Sequence, residues 1–346
     1  MREVSKLNQL LNNVSDTSNK KKRFVINNTM GVLLAMIVFS IFVGCSSNTF
    51  FSVDNFIAVS RICSITVLVG LAQMVVMAGG GLNISVGAIG GLGAVVCGAL
   101  IKRTGIPWEF AIILGIFIGV FCGAINGFII TRLGGAAEIS WLTTLATMAV
   151  FTGFSLGITH AKPFYDMPEG YDWIGAYNIF GVLSLMLVIM IFFAVIIWVL
   201  FKYTSLGRQV LAVGGNQKAA ILSGINVNKV LIFKHIISGV LAASAGILFS
   251  TRLGAVNADI GKVWMLFSFA APLIGGTRME GGRVNVLGAV LGGVLLALVS
   301  NGVVHMRINI FIVEFMEGLI ILLAVGLDRL RAVREENLER LERSAI

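Results

Sequence analysis

Long apolar stretches separated by short polar or glycine-rich breaks fill this chain from residue 29 onward. Between the breaks they fall near 29–45, 56–78, 84–101, 108–130, 138–159, 178–201, 230–251, 263–276, 284–303 and 309–327. A helix needs about 20 apolar residues to cross roughly 30 Å of hydrocarbon. The pattern therefore predicts an all-α polytopic membrane protein with about 10 transmembrane helices. The stretch at 263–276 is the short one and reads as broken or partly re-entrant. The domain plan that follows is a tail at 1–28, a transmembrane domain over 29–327 containing a polar loop at 202–229, and a tail at 328–346.

Composition agrees with that plan. The 346 residues are 57% hydrophobic and 12% charged, whereas soluble domains carry roughly 25% charged residues. A soluble fold of this composition would lack the polar surface to cover its core. Charge then sets an orientation. With an even number of spans both termini share a side. Placing them in the cytoplasm puts there Arg2, Lys6, Lys20, Lys21, Lys22 and Arg23, then Arg132, the loop basics from Lys202 to Lys234, Arg278, Arg283 and the C-terminal arginines. That side holds 19 of the 26 Lys and Arg residues, leaving Arg61, Lys102, Arg103, Lys162, Arg252, Lys262 and Arg307 outside. The positive-inside bias selects this arrangement. The net charge of +9 is thus topological and calls for no nucleic acid. Trp108, Tyr171, Trp173, Tyr177 and Trp264 fall at expected outer ends, and Trp198 and Tyr203 at an inner end, as interface belts.

Chemistry-bearing residues are sparse. Cys45, Cys63, Cys97 and Cys122 lie in or beside apolar runs without ligand spacing, so neither a disulfide framework nor a metal site is expected. His160, His235 and His305 are scattered at span ends, and the chain is not expected to be an enzyme or to hold a cofactor. No G-x-x-x-x-G-K-[ST] stretch occurs, so any nucleotide would bind another subunit. Glu314 and Glu317, three apart on the last span, share a face and define the alternative of a proton-coupled secondary transporter. The Lys20–Arg23 cluster, an apolar run and Phe42-Val43-Gly44-Cys45 fit either a lipoprotein signal with Cys45 as acceptor or a first membrane span. The nine further spans favour the second.

Glycine carries more information. Gly115, Gly119, Gly123 and Gly127 recur every four residues, so they line one helix face and are expected to seat a neighbour on bare backbone. Gly87/Gly91 and Gly288/Gly292 form a looser set. Gly79, Gly80 and Gly81 break the chain between two spans, with Asn83 following and Ser85 placed to cap the next helix. Two readings of this break stand equal: a tight inner turn, or irregular backbone lining a pathway at membrane depth. A second Gly-rich inner turn runs from Gly275 through Thr277 to Gly281, Gly282 and Arg283. In the inner loop, Gly214-Gly215-Asn216 is a turn and cap, followed by a short Ala-rich helix that Gly224 ends. Such a helix, exposed on the inner face, is either a docking knob for a cytoplasmic partner or an ordinary connection.

At this point the residues resemble a known family. Gly-Gly-Asn-x-x-Ala-Ala-x-x-Ser-Gly-Ile at 214–225, followed by Asn226-Val227, looks like the signature loop of ribose-type ABC importer permeases. It is similar to that family's version of the E-A-A-x-x-x-G coupling loop. Gly81-Leu82-Asn83-Ile84-Ser85-Val86-Gly87 resembles the family's G-I-D-L-S-V-G, and Ile274 to Thr277 with Gly281-Gly282-Arg283 resembles its L-G-G-T-x-x-x-G-G-[KR]. The ending Leu322–Asp328 is similar to the family's close, so the resemblance runs over roughly 56–328 with its motifs in order.

The resemblance implies a multi-pass permease subunit of an ABC importer in the bacterial cytoplasmic (inner) membrane, moving a sugar or sugar-like solute. Two ABC ATPase subunits would dock on the inner loops, with Gly215, Asn216, Lys218, Ala219, Ala220, Ser223 and Gly224 forming the coupling helix. An extracytoplasmic binding protein would deliver the solute, and a second permease subunit, a copy or a paralogue, would complete the pore. Asn83, Ser85 and Thr277 are the expected pathway or inner-turn residues, and no dense polar binding site is expected within the spans. Two departures stand out: Asn83 where the family usually has Asp, and Lys218 where Glu is usual. Lys218 is poorly matched to the positive end of a helix dipole.

Overall fold

The computed structural model describes residues 28–306 and, beyond them, 315, 318, 319, 322 and 326. Its helices are α1 Asn28–Ser46, α2 Val53–Ala78, α3 Val86–Ala99, α4 Trp108–Arg132, α5 Ala137–Thr159, α6 Glu169–Ala176, α7 Leu185–Tyr203, α8 Ser205–Gly215, α9 Gln217–Leu222, α10 Val227–Leu253, α11 Trp264–Ile274 and α12 Val286–His305. A π-helical segment, Leu100–Thr104, prolongs α3. Among the described residues eight helices are long and apolar enough to cross a membrane. They are α1 to α5, α7, α10 and α12, with α3 counted together with its π-helical extension to Thr104, so the all-α polytopic class holds. Against the expectation of about ten spans, α11 has only 11 residues, and most of the stretch expected at 309–327, Glu314 and Glu317 included, lies outside the described residues. The span expected at 178–201 begins only at Leu185. Phe180 (φ 53°) and Gly181 (φ 73°) turn the preceding residues into a small antiparallel ribbon, β1 Asn178–Ile179 with β2 Leu183–Ser184.

α10 is the central post, packed against α4, α2 and α3. The contact with α4 follows from the four-residue glycine repeat. An ideal Cβ on Gly119 would lie 2.3 Å from the Gly239 carbonyl oxygen, and one on Gly123 2.2 Å from that of His235. Gly127 faces the Ile232 backbone in the same way, while Gly115 faces the Gly93 carbonyl of α3. The opposite face of α4 presents Phe110, Phe117, Phe121 and Phe128, all at least half exposed. One helix thus reads glycine inward, where dispersion contacts need close backbones, and phenylalanine outward toward lipid.

These contacts also fix depth. The midpoint of α4 (Trp108–Arg132) is residue 120 and that of α10 (Val227–Leu253) is residue 240, and Gly119 abuts Gly239. Gly90 abuts Gly246 and Ala242, so Val86, where α3 starts, lies within about a helical turn of mid-depth. α11 is the counterpart. Ala271 abuts Gly70 in the C-terminal half of α2, which places Trp264 near the same middle level. Both α3 and α11 are therefore half-depth helices, and each is joined to its predecessor by non-helical chain that runs into the bundle. The two irregular segments touch: an ideal Cβ on Gly87 would sit 2.0 Å from the Gly261 carbonyl oxygen, and one on Gly91 2.5 Å from that of Ile260.

Several interfacial expectations change. Trp264 is 6% exposed and meets Gly90 and the Phe249 ring inside the bundle, since α11 starts at mid-depth instead of at an outer boundary. Tyr171 is fully buried, with its hydroxyl on Ser250 Oγ, because α6 folds back onto α10. Trp173 and Tyr177 stack on each other and stay exposed. Lys234, counted with the 202–234 loop, belongs to α10 and has no exposed surface. Cys63, Cys97 and Cys122 are buried free thiols; Cys45 is exposed near the end of α1.

Candidate functional site: a glycine joint under a buried polar network

The two glycine-rich turns and the polar loop, singled out separately in the sequence, converge. α2 ends at Ala78, and the chain reverses through Gly79, Gly80 (φ 67°) and Gly81 (φ 140°). The Ala78 carbonyl accepts a hydrogen bond from Gly282 N at 3.0 Å. An ideal Cβ on Gly214, near the end of α8, would lie 2.1 Å from that same carbonyl and 2.7 Å from Gly282 N. Gly281 closes the set, with its Cβ position 2.7 Å from Gly80 N and 2.9 Å from Gly214 Cα. Three segments therefore meet backbone to backbone, at distances that leave no room for side chains. Glycine is also the residue that tolerates the positive φ of Gly80, Gly81, Gly281 and Gly282.

From this joint projects the α8–α9 pair. Thr204 Oγ1 accepts from Gly207 N and caps α8, a helix the sequence reading did not foresee. The signal was available in Thr204-Ser205 before an amphipathic run. Asn216 ends α8 and caps α9 through Oδ1, which accepts from Ala219 N at 3.0 Å. Gly224 (φ 79°) takes the left-handed position of a Schellman ending, with Gly224 N on Ile221 O and Ile225 N on Ala220 O. Ala220 packs inward while Lys218, Ala219, Ile221, Leu222 and Ser223 face out, Leu222 at 89% exposure. Lys218 sits in the first turn of α9, where the Asn216 side chain supplies the cap that an acid would otherwise favour. Gly215 rests against Gly282.

Above the joint lies a buried polar network. Asn83 is fully buried; its Oδ1 accepts from Ser85 N and, at 2.7 Å, from Ser85 Oγ, and its Nδ2 donates to Ser238 Oγ at 2.9 Å. Ser85 does not cap α3. Its Oγ is occupied by Asn83 and by Asn126 Nδ2 at 2.8 Å, and Asn126 Oδ1 in turn accepts from Thr147 Oγ1 at 2.7 Å. Gln73 Oε1 accepts from Asn83 N, and Thr144 Oγ1 from Ile84 N, so side chains satisfy the non-helical backbone between Gly81 and Val86. The glycines make a turn near one face, and the following residues carry irregular backbone to mid-depth, sealed by protein. Thr277 is buried at the neighbouring turn, where its Oγ1 accepts from Asn285 N. Gln73, Asn126, Thr144, Thr147 and Ser238 were missed; a lone polar residue inside an apolar run was their signal.

Lys234 anchors the network to the joint. Its Nζ donates to the carbonyls of Gly80 (2.8 Å), Gly79 (3.0 Å) and Val76 (3.3 Å). Val76 O also accepts from Gly79 N, whereas the Gly79 and Gly80 carbonyls lie past the end of α2, where the helix dipole also favours a cation. Replacing Lys234 with Met is expected to remove the donor to the Gly79 and Gly80 carbonyls and to cost about 2 kcal/mol. The check is a lowered melting temperature in detergent with membrane insertion retained.

Span-length helices, with the starts of α3 and α11 brought together at mid-depth beside a sealed polar break, are an arrangement suited to a membrane transport permease. The chain belongs to the family described as branched-chain amino acid transport system / permease component, which matches residues 55–325. It is 33% identical over 303 residues to the ribose import permease protein RbsC of Bacillus subtilis (strain 168), covering 87% of this chain and 92% of that protein. It is 32% identical to the D-allose transport system permease protein AlsC of Escherichia coli (strain K12), over 86% and 90% of the two chains. Against the autoinducer 2 import system permease protein LsrC of Yersinia pestis (strain Pestoides F) it is 28% identical, over 92% and 90%. No solved structure matches this chain.

Proposed function

We propose that this chain is the membrane-spanning permease subunit of an ATP-driven importer in the bacterial cytoplasmic membrane, moving a sugar or sugar-like solute that an extracytoplasmic binding protein delivers. The observation that carries this is α9, a capped, exposed helix tied through the glycine joint to the chain break that starts α3. The ribose, allose and autoinducer 2 names of its relatives support the solute class. Both termini lie in the cytoplasm in this reading, so α8 and α9 face the ATPases and the α6 side faces the binding protein. A second permease subunit completes the pore.

ATP-driven closure of two ATPase subunits presses on each α9. The joint passes that displacement to the ends of α2 and α11, and the permease pair exchanges between outward- and inward-open states. Gly215, Asn216, Lys218, Ala219, Ala220, Ser223 and Gly224 form the contact element. Replacing Ala219 with Trp should enlarge the exposed face of α9, which has room for it, and lower solute uptake at least about tenfold. ATPase turnover should then no longer respond to the loaded binding protein. Normal uptake by this variant, in vesicles holding ATPase and binding protein, would refute α9 as the contact element.

A further inference from the structure

The geometry points to a solute station at mid-depth, in the crevice where α3, α5 and the 258–265 segment meet, taking a neutral polyhydroxylated molecule with Asp259 and Lys262 as its polar contacts. This deepens the importer reading above and rests on it for the solute class. The crevice has a volume of about 290 Å³ and includes Gly87, Gly91, Thr152, Asp259, Lys262 and Met265 in its lining.

Depth is the first argument. The 254–263 segment follows α10 and descends until Ile260 and Gly261 abut Gly91 and Gly87, beside the mid-depth start of α3. Non-helical backbone at that level is tolerated where protein covers it or where it lines water. Here protein covers one side only. Ile260 is buried, while the side chains of Asp259 and Lys262 are 77% and 79% exposed and bridge only to each other, at 3.9 Å. Two exposed charges at this level are not accommodated by hydrocarbon, so the surface they occupy faces an aqueous passage. Lys262, placed outside by the charge pattern, lies next to Gly261, which abuts Gly87 at the mid-depth start of α3.

Chemistry is the second argument. A carboxylate and an ammonium side by side cancel in net charge, yet offer one strong acceptor and one strong donor, the pair that hydroxyl groups need. Thr152 adds a half-buried hydroxyl that makes no hydrogen bond within the described residues, unlike its neighbour Ser155, which donates to Phe151 O. Met148, Met265 and the bare backbone of Gly87 and Gly91 give the remaining wall an adaptable, weakly binding surface suited to the C–H face of a sugar ring. Two helices interrupted at the same level are also the arrangement in which transporters place solute groups.

The test uses the full chain assembled with its ATPase and binding protein in proteoliposomes, with D-ribose, D-allose and leucine as probes. Asp259→Asn and Lys262→Met are each expected to reduce the maximal sugar uptake rate about tenfold while binding-protein-stimulated ATPase activity stays within about twofold. Unchanged uptake by both variants overturns the station. In a Cys45→Ser background, Asp259→Cys and Lys262→Cys should react with a membrane-impermeant thiol reagent, more slowly under saturating sugar. Absence of reaction throughout the transport cycle also overturns it. If the unsubstituted assembly carries leucine and neither sugar, the solute reading fails instead, an outcome independent of whether these two positions face water.

Discussion

A Gly123→Val chain is expected to fail to assemble stably in the membrane, with the largest loss among the substitutions considered. Gly123 sits where α4 crosses α10, and its Cβ position is 2.2 Å from the His235 carbonyl oxygen and 2.8 Å from Ile236 Cα. Those obstacles are backbone, so no rotamer change relieves them. α4 and α10 would have to separate, which opens the contacts at Gly119 and Gly127 and displaces the anchor at Lys234 one residue away from His235. Overpacking in an ordinary core costs about 1–3 kcal/mol; a clash this close against the α10 backbone exceeds that range. The check is the yield of monodisperse protein after detergent extraction beside a Phe121→Val control. Phe121 is 61% exposed, and its truncation should leave the yield near that of the parent chain. Equal yields for the two variants would contradict the close crossing.

Gly214→Val is the second, and its expected effect is on transport more than on folding. The new side chain would meet the Ala78 carbonyl at 2.1 Å and Gly282 N at 2.7 Å, prising α8 from the end of α2 and from the 281–282 turn. Among the span-length helices only α2 takes part, and only by its last residue, Ala78, so insertion and extraction should be near normal. The hydrogen bond from Gly282 N to Ala78 O should open, and α9 would then move without carrying α2 and α11 with it. Uptake is expected to fall by about two orders of magnitude, equivalent to roughly 2.7 kcal/mol of lost coupling, while ATP hydrolysis continues. A Gly153→Val variant serves as the contrast, because Gly153 lies in α5, away from the joint and from α9, and has nothing within 4 Å of its Cβ position. Tight coupling in Gly214→Val chains would remove the joint from the mechanism.

The bundle was legible because hydrocarbon thickness imposes a length that any apolar run must meet. Boundaries of α2, α4, α5 and α12 therefore lie within a few residues of those expected. α3 and α11 escaped in part, because composition reports apolarity and not depth. Val86–Ala99 reads as a span whether it starts at a surface or at mid-depth, and only the Gly87–Gly261 contact distinguishes them. Charge counting failed at Lys234 for a related reason. A lysine near a span end is ordinarily a loop cation, and its role as a cap depends on Val76, Gly79 and Gly80, some 155 residues earlier. Gly79–Gly81, Gly214–Gly215 and Gly281–Gly282 were each visible as turns. That they form one joint was not, since glycine leaves no periodic pattern to show what it faces. Ser85 shows local chemistry losing to tertiary chemistry: as a cap it would satisfy one N–H, whereas between Asn83 and Asn126 it ties the break to α4.

The glycine joint has a consequence for how this gene tolerates change. A glycine codon can mutate by one base to alanine, valine, serine, cysteine, aspartate, glutamate, arginine, tryptophan or a stop, and every one of these amino acids carries a Cβ. At Gly214, Gly281 and Gly282 that atom has no vacant volume, so no conservative allele exists there. A screen for chains that reach the membrane but no longer support growth on the transported solute should find its alleles crowded into these few codons.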